Sequence, residues 1–281
     1  MNHFFMISNA DKDRDLCLTE KMKACVEANG GTAGCFAMFP GEEQKKSLKP
    51  KDVPANTECI FVLGGDGTLI RAARDLVSLN IPLIGVNMGT LGYLCELEET
   101  TVFDAIKQIM AGRFVIEERM MICGSKGEES AIALNDIVIH MSQSLQIAKL
   151  IVYVDGRYLA AYNADGIVIA TPTGSTGYSM SAGGPIIEPD ANMMLLTPIN
   201  PHALNAKSIV LSAKDNIAVE LGTRRRQKDE EISVSLDGDR TFTLSVGERI
   251  EIRQSELKTK ILKLTDQSFL EILQKKMQIY D

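Results

Sequence analysis

The chain joins an apolar run to a glycine-rich turn in the sequence Cys59-Ile60-Phe61-Val62-Leu63-Gly64-Gly65-Asp66-Gly67-Thr68. A continuous apolar run of this length is typical of a strand that is buried on both faces of a parallel sheet. Glycines let the backbone approach a ligand closely, and the first turn of a helix offers unpaired N–H groups to an anion. The stretch therefore predicts a strand, a turn and a helix, with the turn able to contact an anion such as a phosphate.

The segments on either side repeat this alternation of strands and helices. The sequence predicts strands at 3–8, 35–38 and 82–86, helices at 13–29, 68–79 and 101–111, and a polar loop at 40–57. Strands that alternate with helices along a chain indicate a parallel sheet with helices on its faces. We therefore expect residues 1–112 to form a three-layer α/β domain that carries the glycine-rich turn.

The hydrophobic pattern changes to a period of two near Arg113. Alternating segments at 150–154, 166–169, 217–221 and 232–236 predict strands, and Asp155-Gly156 and Asp237-Gly238 predict hairpin turns. We expect residues 113–253 to form a mostly antiparallel, β-sandwich-like domain. Helical spacing returns at 266–277, and we expect residues 254–281 to pack back on the first domain.

Length and charge narrow the possible functions. The 281 residues suggest about two domains, and 30 Lys and Arg against 37 Asp and Glu give a net charge of −7. This balance argues against broad electrostatic binding of nucleic acid or anionic membranes. The basic run at 224–228 is followed directly by acidic residues at 229–231, which is typical of a solvated hairpin tip. We see no spanning segment of about 20 apolar residues and no basic leader, and we expect a cytoplasmic protein.

The six cysteines contain no Cys-x-x-Cys pair and have no nearby histidine. This spacing argues against a disulfide scaffold and against a structural zinc site. Cys35 and Cys59 lie in apolar runs, where a thiol usually behaves as a small hydrophobic core residue.

Asp66 is the first candidate for chemistry, because it lies among glycines at the end of the predicted buried strand. A carboxylate placed there, beside phosphates, can orient or deprotonate an attacking hydroxyl. Asp66 or Thr68 could equally serve as a cap for the following helix. The turn is neither a Walker A loop nor the dinucleotide-binding Gly-x-Gly-x-x-Gly motif.

Three later segments also carry polar groups at the ends of predicted strands. The first, Asn87-Met88-Gly89-Thr90-Leu91-Gly92-Tyr93-Leu94, is either the lining of a crevice at the carboxyl ends of parallel strands or an ordinary loop. In the second, Leu134-Asn135-Asp136-Ile137-Val138-Ile139-His140, Asn135 suits an adenine edge and Asp136 suits ribose hydroxyls, although the segment could be a simple turn. We interpret His140 as a structural imidazole.

The third segment, residues 163–185, is the most specific. It runs Asn163-Ala164-Asp165-Gly166-Ile167-Val168-Ile169-Ala170-Thr171-Pro172-Thr173-Gly174-Ser175-Thr176-Gly177-Tyr178-Ser179-Met180-Ser181-Ala182-Gly183-Gly184-Pro185. After the apolar strand, nearly all its residues are small, hydroxylated or glycine, and they show no helical or strand periodicity. Such a stretch cannot fill a core and is typical of a loop that wraps a polar ligand. The alternative is a flexible linker, which would lack the stiffening Thr-Pro-Thr and Tyr178.

Taken in order, these segments resemble the bacterial NAD kinases, and Thr197-Pro198-Ile199-Asn200-Pro201-His202 adds a further match. The motifs extend from about Phe61 to Asp239, and the domain order covers the whole chain. The Gly-Gly-Asp-Gly turn alone is shared with phosphofructokinases and with lipid kinases, whereas the Thr/Ser/Gly segment makes the resemblance specific.

The resemblance implies transfer of the γ-phosphate of ATP to the 2′-hydroxyl of the adenosine ribose of NAD, which produces NADP. It implies that Asp66 accepts the proton of that hydroxyl, that Gly67 lets the backbone reach the diphosphate of NAD, and that Arg71 contacts a phosphate. It assigns further NAD contacts to Asn135, Asp136, Asp165, Thr176, Gly177, Tyr178, Ser179, Met180 and Ser181, and less directly to Tyr93, Asn163, His202 and Asp239.

The resemblance also implies partners. It implies a homodimer or homotetramer whose substrate pocket is shared between subunits, and Mg²⁺ that accompanies ATP. The sequence shows no dedicated metal ligands, as expected for an ion that arrives with the nucleotide. The sequence likewise contains no motif that identifies the residues that bind ATP.

Five positions depart from the usual pattern of the family. Gly177 replaces a common Ala, Asp136 a frequent Glu, Tyr93 the usual Phe, Asp239 a common Gln, and Asn163 a residue that is basic in some relatives. The last two affect the contacts expected at the nicotinamide end and the choice between NAD and NADH.

Two other functions fit parts of the sequence. A lipid kinase of the same superfamily would share the two-domain layout and the glycine-rich turn, but it would need an apolar tunnel in place of the polar 165–181 segment. A non-catalytic dinucleotide sensor would keep the pocket, but it would have no need of Asp66.

Overall fold

The computed structural model describes residues 1–39, 48–89, 92–141, 147–203, 205–223, 231–264 and 268–278. The described chain divides into two compact units. The first, the α/β unit, comprises Met1–Glu118 and Lys258–Asp281, and the second, the β unit, comprises Arg119–Leu257. No helix within the described ranges is long and apolar enough to cross a membrane.

The α/β unit is built on a parallel sheet. Its strands are β1 (His3–Asn9), β2 (Thr32–Met38), β3 (Cys59–Gly64), β4 (Leu83–Asn87) and β5 (Cys95–Glu98), and its helices are α1 (Cys17–Ala28), α2 (Asp66–Leu76), α3 (Val102–Met110) and the C-terminal helix (Phe269–Gln278). The strands pair in the order β2-β1-β3-β4-β5, and every pair is parallel. The carboxyl ends of these strands therefore lie at one edge of the sheet.

Apolar residues cover both faces of this sheet. Phe4, Met6, Phe61 and Leu63 pack in one cluster with residues of α1 and α3, while their neighbours along the strands, such as Ile7 and Ile60, are also fully buried. Helix α2 buries Leu69, Ala72, Ala73 and Leu76. The three-layer α/β arrangement predicted from the continuous apolar runs is confirmed, because a strand that is buried on both faces has no place for alternating polar residues.

The β unit consists almost entirely of antiparallel strands. In chain order they are β6 (Val115–Lys126), β7 (Glu129–Ala133), β8 (Asp136–Met141), β9 (Ala148–Val154), β10 (Arg157–Ala164), β11 (Gly166–Ala170), β12 (Met193–Ile199), β13 (Ile209–Ser212), β14 (Ile217–Leu221), β15 (Glu231–Leu236), β16 (Asp239–Ser245) and β17 (Arg249–Lys263); β6 begins and β17 ends in the α/β unit. A short helix, α4 (Tyr178–Ser181), follows β11, so the C-terminal helix is α5.

Two layers of strands enclose the core of the β unit. One layer has the order β13-β12-β11-β8-β15-β16, and the other contains β10-β9-β14 beside β17. Ile137, Ile139 and Ile167 of the first layer share a hydrophobic cluster with Leu150 and Val219 of the second. This packing confirms the mostly antiparallel, sandwich-like prediction, which rested on the alternation of apolar residues.

The end of β17 is held in the α/β unit by a buried ion pair. Lys263 Nζ lies 3.4 Å from Glu96 Oε2, and the two side chains are only 10% and 5% exposed. The other carboxylate oxygen, Glu96 Oε1, accepts a hydrogen bond of 3.0 Å from Leu264 N. Ile261 also pairs with Leu83 of β4 in parallel register.

Candidate active site

The carboxylate of Asp66 is held by three consecutive backbone N–H groups. Asp66 is the first residue of α2, directly after β3 and the Gly65 N-cap. Its Oδ2 accepts from Tyr93 N at 2.6 Å, and its Oδ1 accepts from Leu94 N and Cys95 N, both at 3.2 Å. These donors belong to the 93–95 segment and not to the helix that Asp66 begins, so the carboxylate links two segments of the chain.

Gly92 provides the space into which the Asp66 carboxylate fits. A Cβ atom at residue 92 would overlap both carboxylate oxygens of Asp66. The Asn87–Leu94 segment, of which 90 and 91 lie outside the described residues, thus meets the glycine-rich turn directly. The structure places these two sequence-predicted segments together at the carboxyl ends of β3 and β4, where open α/β sheets bind their ligands.

The other predicted residues of the α/β unit are Gly67, Arg71 and Tyr93, of which Tyr93 contacts Asp66 through its backbone N–H. Gly67 is exposed in the first turn of α2, and no atom lies within 4 Å of the position of a Cβ there. Arg71 Nε lies 3.9 Å from Asp75 Oδ2 on the same helix. The ring of Tyr93 faces Lys276 of α5, whose Nζ lies 5.0 Å from the ring centroid.

A second carboxylate, Asp237, organises the predicted nucleoside segment of the β unit. Its oxygens accept hydrogen bonds from Leu134 N and Asn135 N at 2.8 Å and from Asp136 N at 3.2 Å. Asp237 N in turn donates to Asp136 O at 3.0 Å. The sequence predicted only a hairpin turn at Asp237, and the bonds from its carboxylate to the 134–136 backbone were missed.

Asp136 is buried beside Asp237, and only 5% of its surface is exposed. Burial, together with the negative charge of Asp237, raises the pKa of the Asp136 carboxyl to about 7. A neutral carboxyl group carries an O–H donor and a carbonyl acceptor, whereas a carboxylate only accepts. Asp136 therefore changes its hydrogen-bonding capacity close to neutral pH.

Two buried oxygen atoms in the same region have no hydrogen-bond partner among the residues that the structure describes. They are Asn135 Oδ1 and Thr173 Oγ1. A buried polar atom without a partner costs about 1–3 kcal/mol, and that cost disappears when a ligand supplies the missing hydrogen bond. Thr173 lies within the segment that the sequence singled out, but it was not among the predicted contacts.

Most hydroxyl groups of the 171–181 segment bond to the protein itself. Thr171 Oγ1 donates to Leu134 O at 2.6 Å, Thr176 Oγ1 donates to Thr173 O at 3.3 Å, and Ser179 Oγ lies 3.1 Å from Thr197 Oγ1. The segment forms a short 3₁₀ turn at Thr173–Thr176 and the four-residue helix α4, where the sequence predicted an irregular loop. Local hydroxyl-to-carbonyl bonds of this kind shape the backbone without leaving a hydrophobic period.

The segment nevertheless lies directly against Asn135 and Asp136. A Cβ at Gly174 would overlap the Asn135 carbonyl, and a Cβ at Gly177 would lie 3.4 Å from Asn135 Nδ2 and 3.7 Å from Asp136 Oδ2. Tyr178, Met180 and Ser181 are exposed, while Ser179 is buried. The structure thus brings the predicted 134–140 and 163–185 segments together.

Asn163, Asp165 and His202 lie on a different part of the β unit, since Gly166 pairs with His140 at the other end of β8 from Asp136. Asn163 and His202 line a cavity of about 460 Å³ together with Pro201 and Lys207, and His202 N donates to Asn163 O at 2.9 Å. Asp165 Oδ2 accepts from Asn200 Nδ2 at 3.0 Å. Asp239 is exposed at the start of β16, and the basic run at 224–228 lies outside the described residues.

The sequence of this chain is similar to known NAD kinases over both units. A family model described as the ATP-NAD kinase N-terminal domain matches residues 13–114, and one described as the ATP-NAD kinase C-terminal domain matches 134–264. An NAD kinase of Agathobacter rectalis is 55% identical over 100% of both chains. An NAD kinase of Lachnoclostridium phytofermentans is 39% identical over 98% of this chain and 99% of its own.

Solved structures show the same fold at low identity. Yeast NADH kinase complexed with NADH superposes with a TM-score of 0.82 at 21% identity, covering 99% of this chain and 88% of its own. An NAD kinase from Archaeoglobus fulgidus in complex with ATP gives a TM-score of 0.77 at 21% identity and covers 98% of each chain. On the strength of the two family models and the full-length relatives, the chain belongs to the ATP-NAD kinase family.

Proposed function

We propose that Asp66 accepts the proton of the adenosine 2′-hydroxyl of NAD while the γ-phosphoryl group of ATP is transferred to that oxygen. The new bond joins the 2′-oxygen to the γ-phosphorus, the bond from that phosphorus to the β,γ-bridging oxygen breaks, and ADP leaves with the electron pair. The product is NADP. Family membership carries the reaction, because it extends over both units of the chain.

The observation that carries the role of Asp66 is its set of three N–H donors. Tyr93 N, Leu94 N and Cys95 N donate to this carboxylate, and the Cys95 thiol also hydrogen-bonds it. These fixed donors determine the direction in which the carboxylate meets a substrate hydroxyl. Positioning of this kind is the main contribution of a protein to phosphoryl transfer.

We assign the adenosine of NAD to the region around Asn135 and Asp136. The unpartnered Asn135 Oδ1 and Thr173 Oγ1 support this assignment, because adenine and ribose offer donors to both. Asp136 accepts a ribose hydroxyl. Gly177 lies against the same two residues, and we assign the exposed ring of the next residue, Tyr178, to the wall of this pocket.

Mg²⁺ is proposed to accompany ATP and to neutralise charge on its phosphates. Within the described ranges no group of three or more His, Cys, Asp or Glu is arranged to hold a metal ion. Mg²⁺ often binds through one or two carboxylates and the phosphate oxygens of its substrate, and we propose that ATP supplies most of its ligands here.

We further propose that the chain works in the cytoplasm, in NADP biosynthesis, as a homodimer or homotetramer with a pocket shared between subunits. The outermost strand β10 of one layer exposes Tyr158 and Leu159, and the outermost strand β13 of the other exposes Val210. Apolar side chains on sheet edges favour contact with another chain.

The function is tested by incubating the purified protein with NAD, ATP and Mg²⁺ and following NADP with a coupled NADP-specific dehydrogenase. We expect sustained turnover that requires all three additions. A folded protein that binds NAD in a calorimeter but forms no NADP, with NADH and inorganic polyphosphate also tried, would identify a dinucleotide sensor and contradict the proposal.

A further inference from the structure

Lys12 lies in a firmly held turn between β1 and α1. Its own N–H and that of Asp13 both donate to Asn9 O, at 3.0 and 2.9 Å. The buried carboxylate of Asp13 accepts from Leu18 N at 2.9 Å, from Thr19 N at 3.1 Å and from Thr19 Oγ1 at 2.6 Å. The backbone at Lys12 is therefore fixed directly beyond the carboxyl end of β1.

The ammonium group of Lys12 reaches across two of the sequence-predicted segments. A Cβ at Gly65 would lie 3.2 Å from Lys12 Nζ, and a Cβ at Gly89 would lie at the same distance. Gly65 is the N-cap of α2, and Gly89 follows β4. One cation thus lies over the ends of three neighbouring parallel strands, in the space that two glycines leave open.

This cation has no counter-ion in the part of the chain that the structure describes. Asp66, whose carboxylate accepts N–H groups from the 93–95 backbone, follows Gly65 directly. Burial and the negative charge of Asp66 raise the pKa of the Cys95 thiol, and the charge of Lys12 opposes that rise, so both charges act on this side chain. The first turn of α2 directs its free N–H groups to the same end of the strands.

We propose that Lys12 binds a phosphate group of the ATP that donates the phosphoryl group. This inference rests on the proposed function, and it names a residue of the donor site for which the sequence provided no motif. A lysine ammonium is a compact charge with three donors, suited to phosphate oxygens. Its exposure leaves it open to a ligand from solution.

The donor is favoured over the diphosphate of NAD by the position of Asp66. In-line transfer places the γ-phosphorus between the attacking hydroxyl oxygen and the leaving oxygen, so the γ-phosphate lies next to the hydroxyl whose proton Asp66 takes. Lys12 Nζ lies beside Gly65, the residue directly before Asp66, and so on the side of the site that the γ-phosphate must approach.

The test compares Lys12→Met with Lys12→Arg. The first removes the charge and keeps an unbranched side chain, and the second keeps a charge. We expect Lys12→Met to raise the KM for ATP at least tenfold, which corresponds to about 1.4 kcal/mol, with the KM for NAD within twofold. Lys12→Arg should recover most of the loss, and calorimetry should show the same weakening of ATP binding in the absence of NAD.

Lys107→Met is the matched control, because Lys107 is an exposed lysine of the same unit that pairs with Asp104 on its own helix. A rise in the KM for NAD alone would assign Lys12 to the dinucleotide, and unchanged constants would remove it from the site; either result overturns the inference. Failure of the wild-type protein to make NADP would contradict the proposed function instead, and calorimetric ATP binding would still test Lys12. Lys12→Gln replaces Lys12→Met if that variant does not fold.

Discussion

Asp66 and Asp237 use the same device in different units of the chain. Each carboxylate accepts hydrogen bonds from three consecutive backbone N–H groups, 93–95 for Asp66 and 134–136 for Asp237. Asp66 lies at the start of a helix with a lysine ammonium nearby, whereas Asp237 lies in a hairpin turn beside the buried carboxyl of Asp136. The first arrangement leaves a carboxylate for a substrate, and the second places a neighbouring carboxyl group close to its titration point.

The same hydrogen-bond pattern therefore does not give the two carboxylates the same role. What differs is the group next to the carboxylate, since a cation and a second acid have opposite effects on nearby charge. We therefore expect the two aspartates to respond differently to the same substitution.

The largest effect is expected for Asp66→Asn. The amide cannot take the hydroxyl proton, so kcat should fall by about 10²–10⁴, the usual contribution of a general base, while NAD affinity stays within a few-fold. Steady-state kinetics and NAD calorimetry measure the two quantities. Asp104→Asn, at an exposed carboxylate of the same unit, should change neither. An unaltered kcat in Asp66→Asn would remove Asp66 from proton transfer.

A smaller effect, on binding, is expected for Asp237→Asn. The neutral amide oxygen holds the 134–136 backbone less strongly than a carboxylate, so the KM for NAD should rise about tenfold with kcat nearly unchanged. Asp155→Asn is a close control, because Asp155 begins the other Asp-Gly hairpin with a similar φ, 49° against 51°. Its carboxylate bonds Asn216 N, away from the 134–136 backbone, so its KM for NAD should stay at the wild-type value.

The same variant should shift a pH dependence. A ribose hydroxyl donates a stronger bond to a carboxylate than to a neutral carboxyl group, so in the wild type the KM for NAD should fall as pH rises through about 7, the pKa of Asp136. Removal of the Asp237 charge lowers the pKa of Asp136, and the fall in KM should move to lower pH. A KM for NAD with the same pH profile in both proteins would separate Asp136 from NAD binding.

The smallest effect is expected for Gly177→Ala. The φ and ψ of Gly177 are −95° and −132°, a combination outside the regions that alanine commonly adopts, and the added Cβ would lie within 3.3–3.7 Å of the Gly174 carbonyl, Asn135 and Asp136. The free energy of unfolding should therefore fall by about 1 kcal/mol, with the KM for NAD changed less than threefold. Denaturant unfolding and kinetics test both, and an unchanged or higher free energy of unfolding would show that the backbone and the 3.3 Å contact relax.

The sequence was most informative where one local rule was sufficient. The apolar run 59–63 and the glycines after it predicted the strand, turn and helix around Asp66, because each depends on neighbours in the chain. The alternation at 150–154 and 217–221 likewise predicted antiparallel strands. Boundaries were less exact: the helix predicted at 13–29 begins at Cys17, because Asp15 and Leu16 adopt left-handed conformations.

The sequence was silent where partners lie far apart in the chain. Asp237 was interpreted as a turn residue, yet its three N–H donors are more than 100 positions away. The 171–181 segment was predicted to be irregular, and its helical turns are made by hydroxyl and carbonyl groups that carry no periodic signal. Lys12 had no motif at all, because its place over Gly65 and Gly89 depends on the pairing of three strands.

The space beside Gly92 has a genetic consequence. Every missense change of a glycine codon adds at least one carbon atom, and the first such atom would occupy the position of the Asp66 carboxylate. No single-nucleotide missense variant at residue 92 can therefore leave that carboxylate where it is. We expect a saturation library to recover only synonymous codons there when growth depends on this chain for NADP.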